Sequence, residues 1–307
     1  MTQIKNQWHP LPYNEWKETL DTLHLFTQII GKIRLALMPM QVEWAQIPFA
    51  LTSRGITSDR MPVSFGSIDI TFDFISHEIF FKGSNGNSIS FSLKGLSVAA
   101  FYKKVFDTLK EFGIEPEINP MSVEMKVPVK MDTDEIHKTY DEQAVRKWWE
   151  VQILTGNVFN EFRSRYSGKM SPVNFWWGSF DLSITFFYGG QIKTQPGMDL
   201  LYRVAMDTNQ ITIGFWPGSE DFPEPAFFGY AYPKPDGYEK SGINPEEAFW
   251  SDEKGEFFLK YSDMIKTSDP VKTLKDFCES IYCTGIKMSG WDSDSLEYKP
   301  PIEKPKI

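Results

Sequence analysis

Two nine-residue stretches decide the fold: Trp44-Ala45-Gln46-Ile47-Pro48-Phe49-Ala50-Leu51-Thr52 and Trp177-Gly178-Ser179-Phe180-Asp181-Leu182-Ser183-Ile184-Thr185. Apolar residues alternate with other residues in both, a period typical of a β-strand with one buried face. When the two stretches are aligned from their tryptophans, the large apolar residues of the first coincide with apolar residues of the second. The pattern predicts equivalent strands in two related halves of the chain.

A helix is predicted before each of these strands. The first spans Asn14 to Ile33, with Asn14 as its N-cap and an apolar face wide enough to be buried on most sides. The second begins near Asp141. Each is expected to run into a Gly-Lys pair, Gly31-Lys32 in the first half and Gly168-Lys169 in the second.

A hairpin and a closing helix follow in each half. The first hairpin is predicted to turn at Asn85-Gly86, a sequence that favours a type I′ turn, and the second near Asp252 to Gly255. The closing helices are predicted over 98–112 and 271–284. A glycine follows each, Gly113 and Gly285, where a residue with positive φ is expected to end the helix.

The order of elements predicts an α+β fold, in which two related helix–antiparallel sheet–helix halves form a pseudo-dimer. The predicted divisions are a first half over 1–114, an extended connector over 115–140, a second half over 141–292 with an insertion near 191–251, and a loose tail over 293–307. The alternative is an α+β chain without duplication, in which similar strings occur by chance.

Composition narrows the class of protein. The chain is 41% hydrophobic, which suffices for a core, and its net charge of −9 disfavours a general nucleic-acid or anionic-membrane partner. No apolar run approaches the roughly 20 residues of a membrane helix, and no signal peptide is recognised, so a cytoplasmic protein is expected. Cys278 and Cys283 are expected to be reduced, because side chains five apart on a helix point away from each other.

Motifs for cofactors and metals are missing from the sequence. The four histidines do not cluster at metal-ligand spacing, and no glycine-rich nucleotide loop or nucleophile elbow is present. The sequence therefore predicts no metal site and no cofactor.

The polar face of the second strand, with its tryptophan and short polar side chains, is where a small-molecule site is predicted. Asp181 on that face, Glu224 beside an aromatic loop and His24 in the first helix are the candidate acid–base residues. The candidate ligand-binding residues are Arg34, Trp44, Trp177, Trp216, Tyr230 and Tyr232. Each has a structural alternative: a solvated strand face, a hydrogen-bonded core histidine, or aromatic residues packed in the core.

Two functions from different classes follow from these residues. The first is binding of an unknown small molecule, with or without catalysis, in an aromatic and polar cleft between the halves. The second is a non-catalytic protein-interaction or structural module, because Trp and Tyr also anchor protein interfaces. Stacking of single-stranded nucleic acid on the aromatic face is a weaker third hypothesis, which the acidic charge opposes.

Five motifs resemble those of an uncharacterised bacterial family of unknown function of about 300 residues, over residues 8–292. They are Trp16-Lys17-x-Thr19-Leu20-Asp21-Thr22-Leu23-His24, Gly168-Lys169-x-Ser171-Pro172-Val173, Trp177-Gly178-Ser179-Phe180-Asp181, Gly214-Phe215-Trp216-Pro217-Gly218 and Glu224-Pro225-Ala226-Phe227. The chain departs from the family pattern at Asn174, where relatives tend to have histidine, and near Phe187, where they tend to have arginine. The resemblance implies a soluble bacterial protein and no particular substrate.

Overall fold

The computed structural model describes residues 8–193, 197 and 203–298. The helices among these residues are α1 (Tyr13–Leu37), α2 (Val98–Glu111), α3 (Glu142–Arg163), α4 (Tyr261–Met264), α5 (Pro270–Ser289) and α6 (Ser293–Leu296). The strands are β1 (Phe49–Leu51), β2 (Gly55–Thr57), β3 (Met61–Val63), β4 (Gly66–Asp73), β5 (Glu78–Gly83), β6 (Ser88–Ser92), β7 (Asn174–Trp176), β8 (Asp181–Gln191), β9 (Thr208–Trp216), β10 (Ala226–Tyr232), β11 (Phe249–Ser251) and β12 (Glu256–Lys260).

These six helices and the twelve-stranded sheet of the described residues confirm the α+β fold class. Part of the predicted insertion (194–196 and 198–202) and most of the predicted tail (299–307) lie outside the described residues. None of the described helices is long and apolar enough to cross a membrane.

The chain divides into two compact units. Unit 1 comprises the described residues of Met1–Gly156, Val173–Leu182 and Phe215–Ala226. Unit 2 comprises the described residues of Asn157–Pro172, Ser183–Gly214 and Phe227–Ile307.

In unit 1 the strands follow the order β7-β1-β2-β4-β5-β6, and β3 pairs with β4. Pairing is antiparallel, for example with Ile70 of β4 opposite Phe81 of β5. The inward residues of β4 are fully buried, as period-two alternation requires. Helices α1 and α2 cover this face, where Phe101 stacks on Phe26 with ring centroids 4.0 Å apart and lies 6.2 Å from Phe72. The core of unit 1 therefore lies between β4 and these two helices.

In unit 2 the strand order is β11-β12-β10-β9-β8. Helix α5 packs closely on this sheet because two glycines leave room for isoleucine side chains. Gly229 of β10 faces Ile281, and Gly285 of α5 faces Ile211 of β9. A Cβ at either glycine would lie within 2.8 Å of the isoleucine, so a larger residue at either position would force the helix and sheet apart.

The ends of two helices differ from the prediction. Helix α1 begins at Tyr13 rather than after Asn14 and continues through Gly31 to Leu37. Gly113 has the expected φ of 72° after α2. The prediction for Gly285 is wrong, because α5 continues to Ser289 and ends at Gly290, with a φ of 68°. Gly285 instead serves close packing inside the helix, which the sequence pattern alone does not distinguish from a cap.

The strand predictions are confirmed only in part. The first stretch is a strand from Phe49 to Leu51, whereas residues 42–44 form a 3-10 turn in which Trp44 has a φ of 53°. The second is a strand from Asp181 onward, and Trp177 to Phe180 form a turn. In both stretches the tryptophan therefore precedes the strand instead of beginning it.

Both predicted hairpins are present. Strands β5 and β6 are joined by residues 84–87, and strands β11 and β12 by residues 252–255. A type I′ turn needs positive φ at both central residues, but φ is positive at Gly86 and not at Asn85, so the predicted turn type is wrong. The amide of Gly83 instead donates across a four-residue loop to the carbonyl of Asn87 at 2.9 Å.

Helix α1 contacts the turn before β8 through a glycine. A Cβ at Gly31 would lie 2.1 Å from the indole ring of Trp177, so the ring occupies the space that any side chain would need. The indole Nε1 of Trp177 donates to the carbonyl of Ile47 at 3.0 Å, which prevents the ring from moving away.

We therefore expect Gly31→Ala to destabilise the protein by about 1–3 kcal/mol, the usual cost of overpacking. Helix propensity alone would predict a gain of roughly 1 kcal/mol for Ala over Gly, so the sign separates the two effects. Urea unfolding at neutral pH measures the change. Gly242→Ala is the control, because nothing lies within 4 Å of the Cβ position at this exposed glycine. A stabilised Gly31→Ala variant would contradict the tight contact.

Candidate functional site

The turn between β7 and β8, residues 177–180, forms the centre of the candidate site. It lies in unit 1, and the amide of Phe180 closes it by donating to the carbonyl of Trp176 at 2.7 Å. Phe180 has a φ of 60°, a left-handed conformation that is costly for a bulky residue. Its ring packs against Trp148 and Phe175, with centroids 5.0 and 5.1 Å away. These contacts hold the strained residue in place.

His24 of α1 contacts this turn directly. Its side chain is buried, and its Nε2 lies 2.8 Å from the carbonyl oxygen of Gly178. A carbonyl only accepts, so Nε2 carries the proton and donates it. The imidazole also lies against the ring of Phe180, with centroids 5.2 Å apart. Burial lowers the pKa of His24 to about 4, partly opposed by hydrogen bonds to Gly178 and Trp177, so the ring is neutral at neutral pH.

Asp181 follows the turn as the first residue of β8, and its side chain is buried. The hydroxyl of Ser179 donates to its carboxylate. Burial, with a smaller contribution from the negative charge of Glu124, raises the pKa of Asp181 to about 7, although the hydrogen bond from Ser179 opposes the rise. Asp181 therefore changes its charge near neutral pH, as a residue that exchanges protons with a ligand must.

A second carboxyl group approaches the turn from the segment before α3. A Cβ added at Gly178 would lie only 3.3 Å from Oε1 of Glu124. The absence of a side chain at Gly178 therefore leaves room for the Glu124 carboxyl group. The Glu124 residue keeps exposed surface, but its carboxyl is withdrawn from water far enough to raise its pKa. Glu124 has a φ of 52°, so its backbone also adopts a left-handed conformation next to the site.

Gln28 fixes the position of this segment. Its amide group donates to the carbonyl of Val123 and accepts from the amide of Val123, both at 2.8 Å. This pair of bonds resembles the pairing of two strands and sets which end of the amide is nitrogen. Gln28 also lies on the same face of α1 as His24, four positions away.

Two predicted acid–base residues, His24 and Asp181, thus contact the same turn, and the predicted ligand residue Trp177 is part of it. Sequence reasoning did not select Glu124, Gln28 or Ser179. A pattern in the sequence does indicate Gln28: the polar residues at 17, 21, 24 and 28 follow one face of a helix that is otherwise mostly apolar. No pattern in the sequence identifies Glu124, because the apolar residues of its segment follow neither the helical period nor the strand period.

Arg34 and Trp44 have other surroundings in unit 1. Arg34 is buried and donates to the carbonyl of Ser58, and burial lowers its pKa while Asp59 opposes this. Trp44 lies in the 3-10 turn before β1 and is half-buried. Within the described residues, no hydrogen bond, ion pair or ring contact joins either of them to His24 or Asp181.

The remaining predicted residues belong to two places. Trp216 and Glu224 lie in unit 1, at the ends of a loop in which Gly218 meets the backbone of Glu224, and Trp216 lies 5.9 Å from the ring of Phe222. Tyr230 and Tyr232 lie on β10 in unit 2, both half-buried.

Two surface cavities are found in unit 2, one of about 520 Å³ beside Ser280 and one of about 420 Å³ beside Trp291. Neither is lined by a predicted site residue. Cys283 lines both, but burial and the neighbouring Glu279 raise the pKa of its thiol to about 11, which keeps it protonated and weakly nucleophilic. Within the described residues, no group of three or more His, Cys, Asp or Glu side chains is placed to hold a metal ion.

The fold and the site together define an α+β protein with histidine and carboxyl side chains gathered at one turn. The chain belongs to the family of unknown function DUF5996, whose model matches residues 8–298. The resemblance to a family of unknown function is thereby confirmed, and the family supplies no reaction. Searches of the curated proteins and of the solved structures found no match to the chain.

The two buried groups should make opposite contributions to stability as pH changes. In the unfolded chain the carboxyl group of Asp181 ionises at about pH 4, but in the folded chain it keeps its proton up to about pH 7. Its contribution to the free energy of unfolding therefore falls as pH rises between these values. His24 takes up a proton in the unfolded chain below about pH 6.5 and in the folded chain only near pH 4. Its contribution therefore rises with pH over that range.

Relative to wild type, we expect the unfolding free energy of Asp181→Asn to rise from pH 4.5 to 6.5, and that of His24→Gln to fall. Each slope is at most about 1.4 kcal/mol per pH unit. Urea titrations across this range measure both slopes, with Asp236→Asn, an exposed position, as the control. Parallel curves for all four proteins would show that neither group is perturbed.

Proposed function

We propose that the chain binds a small molecule at the turn formed by residues 177–180 and that Asp181 exchanges a proton with it. The observation that carries the proposal is that two buried groups meet one turn: His24 bonds to the carbonyl of Gly178, and Asp181 accepts from Ser179. Burial lowers the pKa of this histidine to about 4 and raises that of this carboxyl group to about 7. A proton donor or acceptor works best when its pKa lies near the working pH. The hydroxyl of Ser179 and the carboxyl of Glu124 are the further groups available to orient a ligand.

The charges around Asp181 favour a neutral or positively charged ligand. The charged group that affects Asp181 is another carboxylate, Glu124, and the histidine that contacts the same turn is neutral. A carboxylate or phosphate ligand would therefore meet repulsion at low local dielectric, where charges interact strongly. An amine, amide or alcohol would meet no such cost.

We expect a thermal-shift screen to separate these ligand classes. A panel of small amines, amides and alcohols should contain compounds that raise the Tm of the wild-type protein and of Asp236→Asn by a few degrees. The shift should be lost in Asp181→Asn, because specific binding stabilises only a protein that keeps its site. Carboxylic acids of the same size should give no shift. Equal shifts in Asp181→Asn and wild type, or no shift with any compound, would refute the proposal.

A non-catalytic protein-interaction role is a second proposal, and the observation that favours it is apolar exposure between α2 and α3. Val127 is 72% exposed and Ile136 82% exposed, with Met121 and Val123 also exposed. Exposed apolar side chains grouped in one segment are typical of interaction sites. Self-association should then appear as a mass above 35.5 kDa in light scattering and should weaken in Val127→Ser. A monomer at all concentrations would count against self-association.

We also propose that the two halves arose by duplication and that the protein is cytoplasmic. The duplication is supported by the repeated order of a long helix, strands, a hairpin and a closing helix, in α1 to α2 and in α3 to α5. A reducing compartment is supported by two free thiols, one buried and one exposed. A bacterial source stays an implication of the sequence resemblance.

A further inference from the structure

Residues 121–130, the 121–130 loop, form a compact loop between α2 and α3. Its two ends pair with each other, because Met121 and Lys130 form an isolated bridge and the amide of Ser122 donates to Val129 at 2.8 Å. The neck is closed by the amide of Met131, which donates to the carbonyl of Pro120 at 2.9 Å. The loop can therefore move as one piece about this neck.

The inner side of the 121–130 loop lies over the candidate site. Val123 is held by one hydrogen bond that Gln28 donates to it and one that it donates to Gln28, and Glu124 places its carboxyl at Gly178. Asp181, three residues beyond Gly178, is only 8% exposed. In this arrangement a ligand can reach Asp181 only after some part of the turn's surroundings moves.

The outer side of the loop is fastened by exposed ion pairs. Lys126 pairs with Asp221 at 2.6 Å and with Glu220 at 3.8 Å, and Glu220 also pairs with Lys17 of α1. Exposed pairs of this kind contribute little and are screened by salt. The loop has no helix or strand of its own and leaves Val127 72% exposed, so little apolar burial holds it down.

We propose that the 121–130 loop is a lid over the Asp181 site. The salt-sensitive ion pairs of Lys126 hold its outer side closed, and the hydrogen bonds between Gln28 and Val123 hold its inner side. The purpose of the lid rests on the proposed function, but its opening does not need a ligand to be observed. Opening breaks the Gln28–Val123 bonds, withdraws Glu124 from Gly178 and admits water to Asp181.

Hydrogen–deuterium exchange of the Val123 amide tests the proposal, because this amide donates to Gln28 in the closed lid. In Lys126→Ala we expect exchange at Val123 to be roughly two- to five-fold faster than in wild type, as the loss of an exposed ion pair allows. Wild type in high salt should approach the variant, and the variant itself should respond little to salt. The control is Lys130→Ala, which removes a different exposed ion pair of the same loop, with Asp132, and should leave Val123 unchanged.

The amide of Ser58, which donates to Ile70 inside unit 1, reports global unfolding. Faster exchange at Val123 with Ser58 unchanged supports a lid. Equal exchange in the two lysine variants, or equal acceleration at Val123 and Ser58, overturns it. The ligand screen on Asp181→Asn is independent of this outcome, so a lid without a ligand and a ligand without a lid are distinguishable results.

Discussion

The candidate site depends on how firmly the turn at residues 177–180 is held against α1. The turn contains a phenylalanine in a left-handed conformation, which costs on the order of 1–3 kcal/mol. Three contacts offset that cost: the His24 hydrogen bond to Gly178, the indole of Trp177 seated on Gly31, and the ring of Phe180 stacked on Trp148. Because these contacts lie on both sides of Gly178 and Ser179, the backbone and Asp181 have little freedom to adjust.

The same burial gives the two titratable groups opposite protonation behaviour. Desolvation disfavours whichever form is charged, so it lowers the pKa of the imidazole and raises the pKa of the carboxyl group. The result is a histidine that acts as a fixed hydrogen-bond donor and an aspartic acid that is the group able to change its charge at neutral pH. The polar residues at the turn therefore have distinct roles although they share one environment.

Local patterns predicted the elements and part of the site. The helices, the hairpins and the glycine at 113 follow from periodicity and turn chemistry, which act over a few residues. His24 was selected because a polar residue interrupts an apolar helix, and Asp181 because it lies on the polar face of a strand. Their meeting at one turn could not be predicted, since it depends on α1 contacting a turn that lies 154 positions after His24.

Glu124 and Gln28 show where sequence reasoning ends. The bonds between Gln28 and Val123 join residues 95 positions apart, and they involve the backbone of a segment without regular structure. The contact uses the backbone N–H and C=O of Val123, so the identity of its side chain does not indicate it. The helix stop predicted at Gly285 is wrong for a related reason: the missing side chain makes room for Ile211, which lies elsewhere in the chain.

The contact between residue 31 and the indole at 177 has a consequence for the family as a whole. The ring fills the volume that a methyl group on the helix would need, so the two positions share one fixed space. Members that carry a larger residue on the helix should carry a smaller one at the turn, and the two columns of a family alignment should covary. A member with alanine or serine opposite an intact tryptophan should instead show a wider separation of the helix from the turn.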